Sequence, residues 1–147
     1  IKPENVMYRT SGEAVLVDFG LVRDLQNVSL TNSWLHMGPG TPYYAAPEQL
    51  NNQKALIDWR TDQFCLGVMI AVCGYGFHPY QANNAAAFHS DSVERTARRV
   101  ERDREVLSII TSKFPAIARM TAAWPVSRFR TPKDLLDEWR SYGRNQL

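Results

Sequence analysis

Two short apolar runs, Val6–Tyr8 and Ala14–Val17, stand on either side of a turn-rich Arg-Thr-Ser-Gly spacer. Runs of that length around such a spacer predict a small β-hairpin. Over residues 21–42 neither a period of two nor one of 3.6 persists, and Ser, Thr, Asn and Gly are frequent. A loop that long inside a compact domain is usually functional or disordered. From Ala46 the pattern turns helical. Ala-Pro-Glu-Gln-Leu offers one turn, and Asp62 is placed to cap a helix whose body, Phe64–Cys73, is apolar on nearly every side. Such a helix belongs in the middle of a core. The stretch "GYGFHPYQANN" reads as loop, broken by Gly, Pro and Asn. Asp91 with Glu94 resembles a capping pair for a helix carrying Val93, Ala97, Val100 and Leu107 on one stripe. Residues Phe114–Trp124 predict another helix. A last one opens on Thr131-Pro132-Lys133-Asp134, with an N-cap Thr, Pro at the first helical position and an acid at the third. Leu135, Leu136, Trp139 and Tyr142 then share a face. The expected fold is mainly α (α+β overall), helical with one small β-hairpin and no internal repeat.

Composition narrows the setting more than the chemistry. A chain of 147 residues holds one domain with a real core, or part of a larger one. Its 44% apolar content fits a globular protein. With 17 basic against 15 acidic residues, the charge is nearly balanced and demands neither a nucleic-acid nor a membrane partner. Cys65 and Cys73 share one apolar run, which predicts two buried thiols in a reducing cytoplasmic setting and no disulfide framework. The longest apolar stretch, "FCLGVMIAVC", is about half of the ~20 residues that span a bilayer. Residues 1–30 lack the basic-then-apolar order of a signal peptide. The expectation is a soluble domain, incomplete at its front, with a membrane anchor elsewhere in a longer parent left open.

The candidate chemistry gathers around the hairpin. Asp18 ends a "VLV" strand and precedes Phe-Gly, where glycine lets the backbone turn sharply. A carboxylate released at a strand end is a natural ligand for Mg²⁺, because hard cations prefer oxygen donors. Asn5, across the hairpin, offers an amide oxygen to the same region, and Lys2 a charge to neutralise a phosphate. One carboxylate, one amide and one ammonium suit phosphoryl transfer, which is chiefly positioning and charge neutralisation. Taken singly, each has a plainer reading as turn former, loop hydrogen-bonder or solvated lysine.

Their order changes the weighing. "IKPEN", then "DFG" at residues 18–20, then "APE" at residues 46–48 resembles the C-terminal lobe of a eukaryotic-type Ser/Thr protein kinase. That family carries a catalytic loop His-Arg-Asp-Leu-x-x-x-Asn, then Asp-Phe-Gly, then Ala-Pro-Glu. Each tripeptide arises by chance at roughly one in 10⁴ positions, so three in family order are a poor coincidence. "PEQ" and the spacing Pro125-x-x-Arg128 look more like bacterial members. The resemblance covers essentially the whole chain, and it sets Ile1 immediately after the family's catalytic Asp. It implies a partial kinase domain over residues 1–147, without the nucleotide-binding lobe and inactive alone. The cofactors implied are ATP and Mg²⁺, with Mn²⁺ as a substitute, and the partners are protein substrates with Ser or Thr acceptors.

By that resemblance Lys2 contacts the transferred phosphate, and Asn5 and Asp18 hold the metal. Residues 18–48, opening on Asp18, Phe19 and Gly20, form the activation segment. Its "GTPYYAAPE" ending has the Ser/Thr-kinase form. Gly40 and Thr41 begin that ending, with Thr41 expected to hydrogen-bond the catalytic Asp and Lys2, while Tyr43 and Tyr44 shape the substrate-docking turn. Ser29, Thr31 and Ser33 are candidate phosphorylation switches, with ordinary loop polarity as the plainer reading. Glu48 is expected to form a buried ion pair with Arg128, with Arg130 as the rival partner. Trp124 stands where many kinases have an acid. Asp62 matches the acid at the head of the central helix that binds the catalytic-loop backbone. A kinase-shaped scaffold, or pseudokinase, is the alternative, because fold does not fix function.

The remaining features read as structural. His36, His78 and His89 show no ligand spacing. The run "ERTARRVERDRE" places Glu94–Arg98 and Arg99–Asp103 at helical i, i+4 spacing, which predicts a solvated, salt-bridged face. Trp34, Trp59, Trp124 and Trp139 read as packing anchors.

Overall fold

The computed structural model describes residues 1–17, 42–82, 89–112 and 114–144. Strands β1 (Val6–Tyr8) and β2 (Ala14–Leu16) pair antiparallel, with Val6 opposite Leu16, Met7 opposite Val15 and Tyr8 opposite Ala14. Their loop closes through Gly12, whose φ of +83° only glycine adopts readily. Its N–H donates to the Arg9 carbonyl at 2.9 Å. Among the described residues six α-helices follow: α1 (Pro47–Leu50), α2 (Trp59–Tyr75), α3 (His89–Ala97), α4 (Arg104–Thr111), α5 (Ala116–Met120) and α6 (Pro132–Arg144). The mainly helical architecture with a small hairpin is the one the apolar pattern predicts. Among the described residues no helix is long and apolar enough to cross a membrane.

α2 is the hub. Phe64 and Val68 pack with Ala46 and Tyr80 on one side of it. Ala71 joins Ile110 of α4 and Ile117 of α5 on another. Leu66 and Ile70 reach the third cluster, built on Ala116, Met120 and Phe129 with Leu135 and Trp139 of α6. A Cβ added at Gly67 would lie 2.8 Å from Thr121 Cγ2 and 3.0 Å from Met120 Cβ, so only glycine lets α5 approach this closely.

Several boundaries differ from the sequence reading. The cap of α2 is Asp58, whose Oδ1 accepts from the Arg60 N–H at 2.8 Å, and Asp62 falls one turn inside the helix. Burial acts to raise the Asp58 carboxyl, but the hydrogen bonds from Arg60 outweigh it and hold the pKa below the usual Asp value. That stabilisation is present above the ordinary Asp pKa and is lost as pH falls through the lowered one.

The single helix expected from Asp91 onward is two helices. Asp91 lies in the first turn of α3, not at its cap. Arg99 adopts φ +53°, which breaks the chain out of the helix. Asp103 then caps α4, accepting from the Glu105 and Val106 N–H groups at 2.9 and 3.3 Å. Consequently Glu94–Arg98 pairs at 2.7 Å, whereas Arg99 and Asp103 serve other ends. Arg95 donates to the Tyr80 carbonyl at 2.7 Å, and Arg102 to the Ala118 carbonyl at 2.7 Å and Thr121 Oγ1 at 2.9 Å. Arg99 bonds Gln53 and lies 4.0 Å from the Trp124 ring centroid. Three of the five arginines in this run, Arg95, Arg99 and Arg102, turn toward the protein, a correction to the solvated face.

Phe114–Trp124 likewise contracts to α5, followed by a short 3-10 turn at Pro125–Ser127. α6 starts as expected: Asp134 N–H donates to Thr131 Oγ1 at 3.1 Å, and Thr131 N–H to Asp134 Oδ2 at 3.0 Å. Leu136, however, is 50% exposed and leaves the shared face. Trp139 stacks on Phe114 at 4.8 Å, and Trp59 donates to the Arg130 carbonyl at 3.2 Å. Trp124 is 49% exposed and anchors no core, and Trp34 lies outside the described residues.

The two thiols also part company. Cys65 is buried, with Sγ 3.4 Å from Gln49 Oε1, and Cys73 is exposed, against the expectation of two buried thiols. Burial pushes the Cys65 thiol up to about 11, so it carries almost no thiolate near neutrality. Iodoacetamide at neutral pH is expected to add one group to the native chain, at Cys73, and two after unfolding. Intact and peptide mass spectrometry checks this, and native alkylation of Cys65 would mean that the packing of α1 on α2 is open.

Candidate functional site

Lys2 precedes and Asn5 ends a tight 3-10 turn, Pro3–Asn5, whose proline fixes the first φ. Asn5 N–H donates to the Lys2 carbonyl at 3.0 Å, and the Asn5 carbonyl accepts from Val17 N–H at 2.7 Å. This second bond closes the mouth of the hairpin one residue before Asp18. Asp18, Phe19, Gly20, Ser29, Thr31, Ser33, Gly40 and Thr41 lie outside the described residues. Among those described, no group of three or more His, Cys, Asp or Glu is gathered for a metal.

The second segment begins at a 3-10 turn, Pro42–Tyr44. Ala45 N–H donates to the Pro42 carbonyl at 3.1 Å, and the Tyr43 and Tyr44 rings meet edge to face at 5.4 Å. Burial raises the pKa of both phenols; the charges of Cys73 and Glu4 act in the same direction at Tyr44. Pro47 starts α1, and Gln49 Oε1 turns back to accept from Ala46 N–H at 2.9 Å.

Glu48 is the buried anchor of this segment. Its Oε1 lies 2.6 Å from Arg128 Nη1 and its Oε2 3.0 Å from Nη2, a fork-to-fork pair with both side chains 0% exposed. Thr61 Oγ1 adds a third donor to Glu48 at 2.9 Å. Arg128 spends its other N–H groups on the Ala122, Arg60 and Ala123 carbonyls, at 2.9, 2.9 and 3.4 Å. Its guanidinium carbon is 4.7 Å from the Phe64 ring centroid. Arg130 is exposed and does not compete for Glu48.

Asp62 is exposed at its outer edge, yet partial burial raises the pKa of its carboxyl.

The chain matches the family model for the protein kinase domain over residues 1–137. It belongs to the eukaryotic-type Ser/Thr protein kinase family. It is 33% identical over 96 residues to serine/threonine-protein kinase Sgk1 of Homo sapiens, covering 65% of this chain. Sgk1 of Rattus norvegicus and Sgk1-B of Xenopus laevis are 32% identical over the same length. The aligned stretch is 21% of each of these relatives, so the chain spans about a fifth of their length.

Three residues of the kinase fold escaped the sequence reading. Thr61 looks like filler until its hydroxyl is seen on Glu48. Gln63 clasps the Phe129 backbone at both N–H and C=O, at 3.0 and 3.3 Å. His78, read as one of three scattered loop histidines, is fully buried with Nε2 2.9 Å from the Tyr43 carbonyl.

Proposed function

We propose that the protein carrying this chain transfers the γ-phosphate of ATP to Ser or Thr hydroxyls of protein substrates. The observation that carries the reading is the 2.7 Å bond from Val17 N–H to the Asn5 carbonyl, which joins the "KPEN" loop to the residue before Asp18. The Asn5 amide and the Asp18 carboxylate are hard oxygen donors of the kind Mg²⁺ takes, with Mn²⁺ as a substitute. The bound ion supplies charge neutralisation for the nucleotide phosphates. Lys2 places an ammonium beside the transferred phosphoryl group, and Thr41 orients Lys2. Tyr43 and Tyr44 form the turn against which the peptide rests, and Asp62 holds the catalytic-loop backbone. Residues 18–48 act as the activation segment, with Ser29, Thr31 and Ser33 as its candidate phosphosites. Residues 1–147 belong to a larger kinase domain and transfer no phosphate alone, since neither a general base with the His-Arg-Asp motif nor a glycine-rich nucleotide loop occurs among them. The short apolar runs and balanced charge support a cytoplasmic setting for this segment.

The test uses the full-length protein, ATP labelled at the γ-phosphate and an arrayed library of Ser-, Thr- and Tyr-centred peptides. Label on Ser and Thr peptides, abolished by EDTA and restored by Mg²⁺, is expected. Label on no hydroxyl would overturn the reading in favour of a kinase-shaped scaffold.

A further inference from the structure

Gly76 ends α2 in the left-handed region, φ +76°, with its N–H on the Val72 carbonyl at 2.9 Å. Beyond it the chain folds into a turn that its own side chains lock. Gln81 N–H donates to the His78 carbonyl at 3.0 Å, and Gln81 Oε1 accepts from His78 N–H at 2.9 Å. The imidazole is 0% exposed. Its Nδ1 accepts from Tyr80 N–H at 3.1 Å, which leaves the ring proton on Nε2. Nε2 donates that proton to the Tyr43 carbonyl at 2.9 Å. The His78 and Tyr43 rings also pack, with centroids 4.7 Å apart.

The base of this contact is rigid. Tyr80 Oη donates to the Thr121 carbonyl at 3.0 Å, and Arg95 Nε holds the Tyr80 carbonyl at 2.7 Å. α3 and the end of α5 therefore fix Tyr80, Tyr80 fixes His78, and His78 fixes the Tyr43 carbonyl from beneath. Within the 3-10 turn the Pro42 carbonyl is taken by Ala45. The Tyr43 carbonyl takes its proton from a residue 35 positions away in sequence.

We propose that His78 is the positioning residue of the substrate-docking turn: its Nε2–H sets the Tyr43 peptide and ring, and with them the surface that receives the peptide next to the acceptor hydroxyl. This rests on the kinase reading above. The two ring nitrogens do different work, so two substitutions separate them. Gln extends an amide N–H to where Nε2 stands. Asn keeps an acceptor near Nδ1 and cannot reach Tyr43.

With the full-length protein and the peptide it phosphorylates best, His78→Asn is expected to raise the peptide KM about fivefold to tenfold, the equivalent of one lost hydrogen bond. Its kcat and its KM for ATP should stay within about twofold, the signature of lost ground-state binding. His78→Gln should restore the peptide KM to within about threefold at the same melting temperature as His78→Asn. Equal KM values in both variants, or values that track melting temperature alone, would overturn the inference and leave the kinase reading standing. A wild-type protein that phosphorylates no peptide would overturn both. Should either variant fail to fold, the imidazole resonances of ¹⁵N-histidine-labelled wild type are followed during peptide titration. A saturable shift at His78 is expected, and an unmoved resonance at saturating peptide would overturn the inference.

Discussion

Arg128→Met is expected to destabilise the protein by about 3–5 kcal/mol, because it strands the Glu48 carboxylate in the core without its partner. That is a large fraction of the roughly 5–15 kcal/mol that holds a domain folded. Glu48 is 0% exposed and keeps only the Thr61 hydroxyl after the change, while the Ala122 and Arg60 carbonyls also lose their donors. Adding Glu48→Gln should recover part of the loss, since the stranded charge is then gone. A double variant more stable than Arg128→Met alone is the mark of coupling between neighbours. Arg128→Lys should fall between, having the charge without the planar fork that meets both carboxylate oxygens. Denaturant midpoints at constant slope measure all four proteins. A cost below about 1 kcal/mol for Arg128→Met would mean that water reaches Glu48.

Asp18→Asn in the full-length protein is expected to lower phosphotransfer by roughly 10³-fold or more, at least the scale of losing one preorganised electrostatic contact to the reacting group. Asn preserves the size of the side chain and removes the charge that makes it a ligand for a divalent cation. Its melting temperature should move little, since Asn matches Asp in size and shape and the substitution opens no cavity. Kinetics with the peptide chosen for the wild type, beside a thermal melt, checks both halves. Undiminished turnover would remove Asp18 from the chemistry.

The fold class and the motif order were readable before any coordinates, because apolar periodicity and short fixed tripeptides are local signals. The hub helix announced itself by being apolar on nearly every side. Its cap did not. Asp58 and Asp62 are both acids near a helix start, and only the backbone shows which one receives the Arg60 N–H. The break at Arg99 was hidden for a related reason: nothing about arginine announces a positive φ, and the surrounding charges fit a continuous helix equally well. Arg128 and Arg130 are two residues apart, and their fates, 0% exposed against exposed, are decided by which guanidinium the fold carries to Glu48, which spacing alone does not show. Of the candidate site, Lys2, Asn5, Tyr43, Tyr44 and Glu48 were named from motif spacing. His78 was not, since the partner that gives it a role, the Tyr43 carbonyl 35 positions away, is brought to it by tertiary packing.

The Glu48–Arg128 clasp has a consequence for how the chain becomes structured in time. It joins residues 80 positions apart, and closing a flexible loop of that length costs roughly 4 kcal/mol of entropy before the pair returns anything. During synthesis at about 5–20 residues per second, Arg128 is made roughly 4–16 s after Glu48. In that interval the carboxylate lacks the Arg128 fork that neutralises it in the core, which disfavours seating Pro47 and the residues before it against α2. The Pro42–Tyr44 turn is therefore among the late parts of the nascent chain to take its final shape, after the segment from α3 to Arg128 has been delivered.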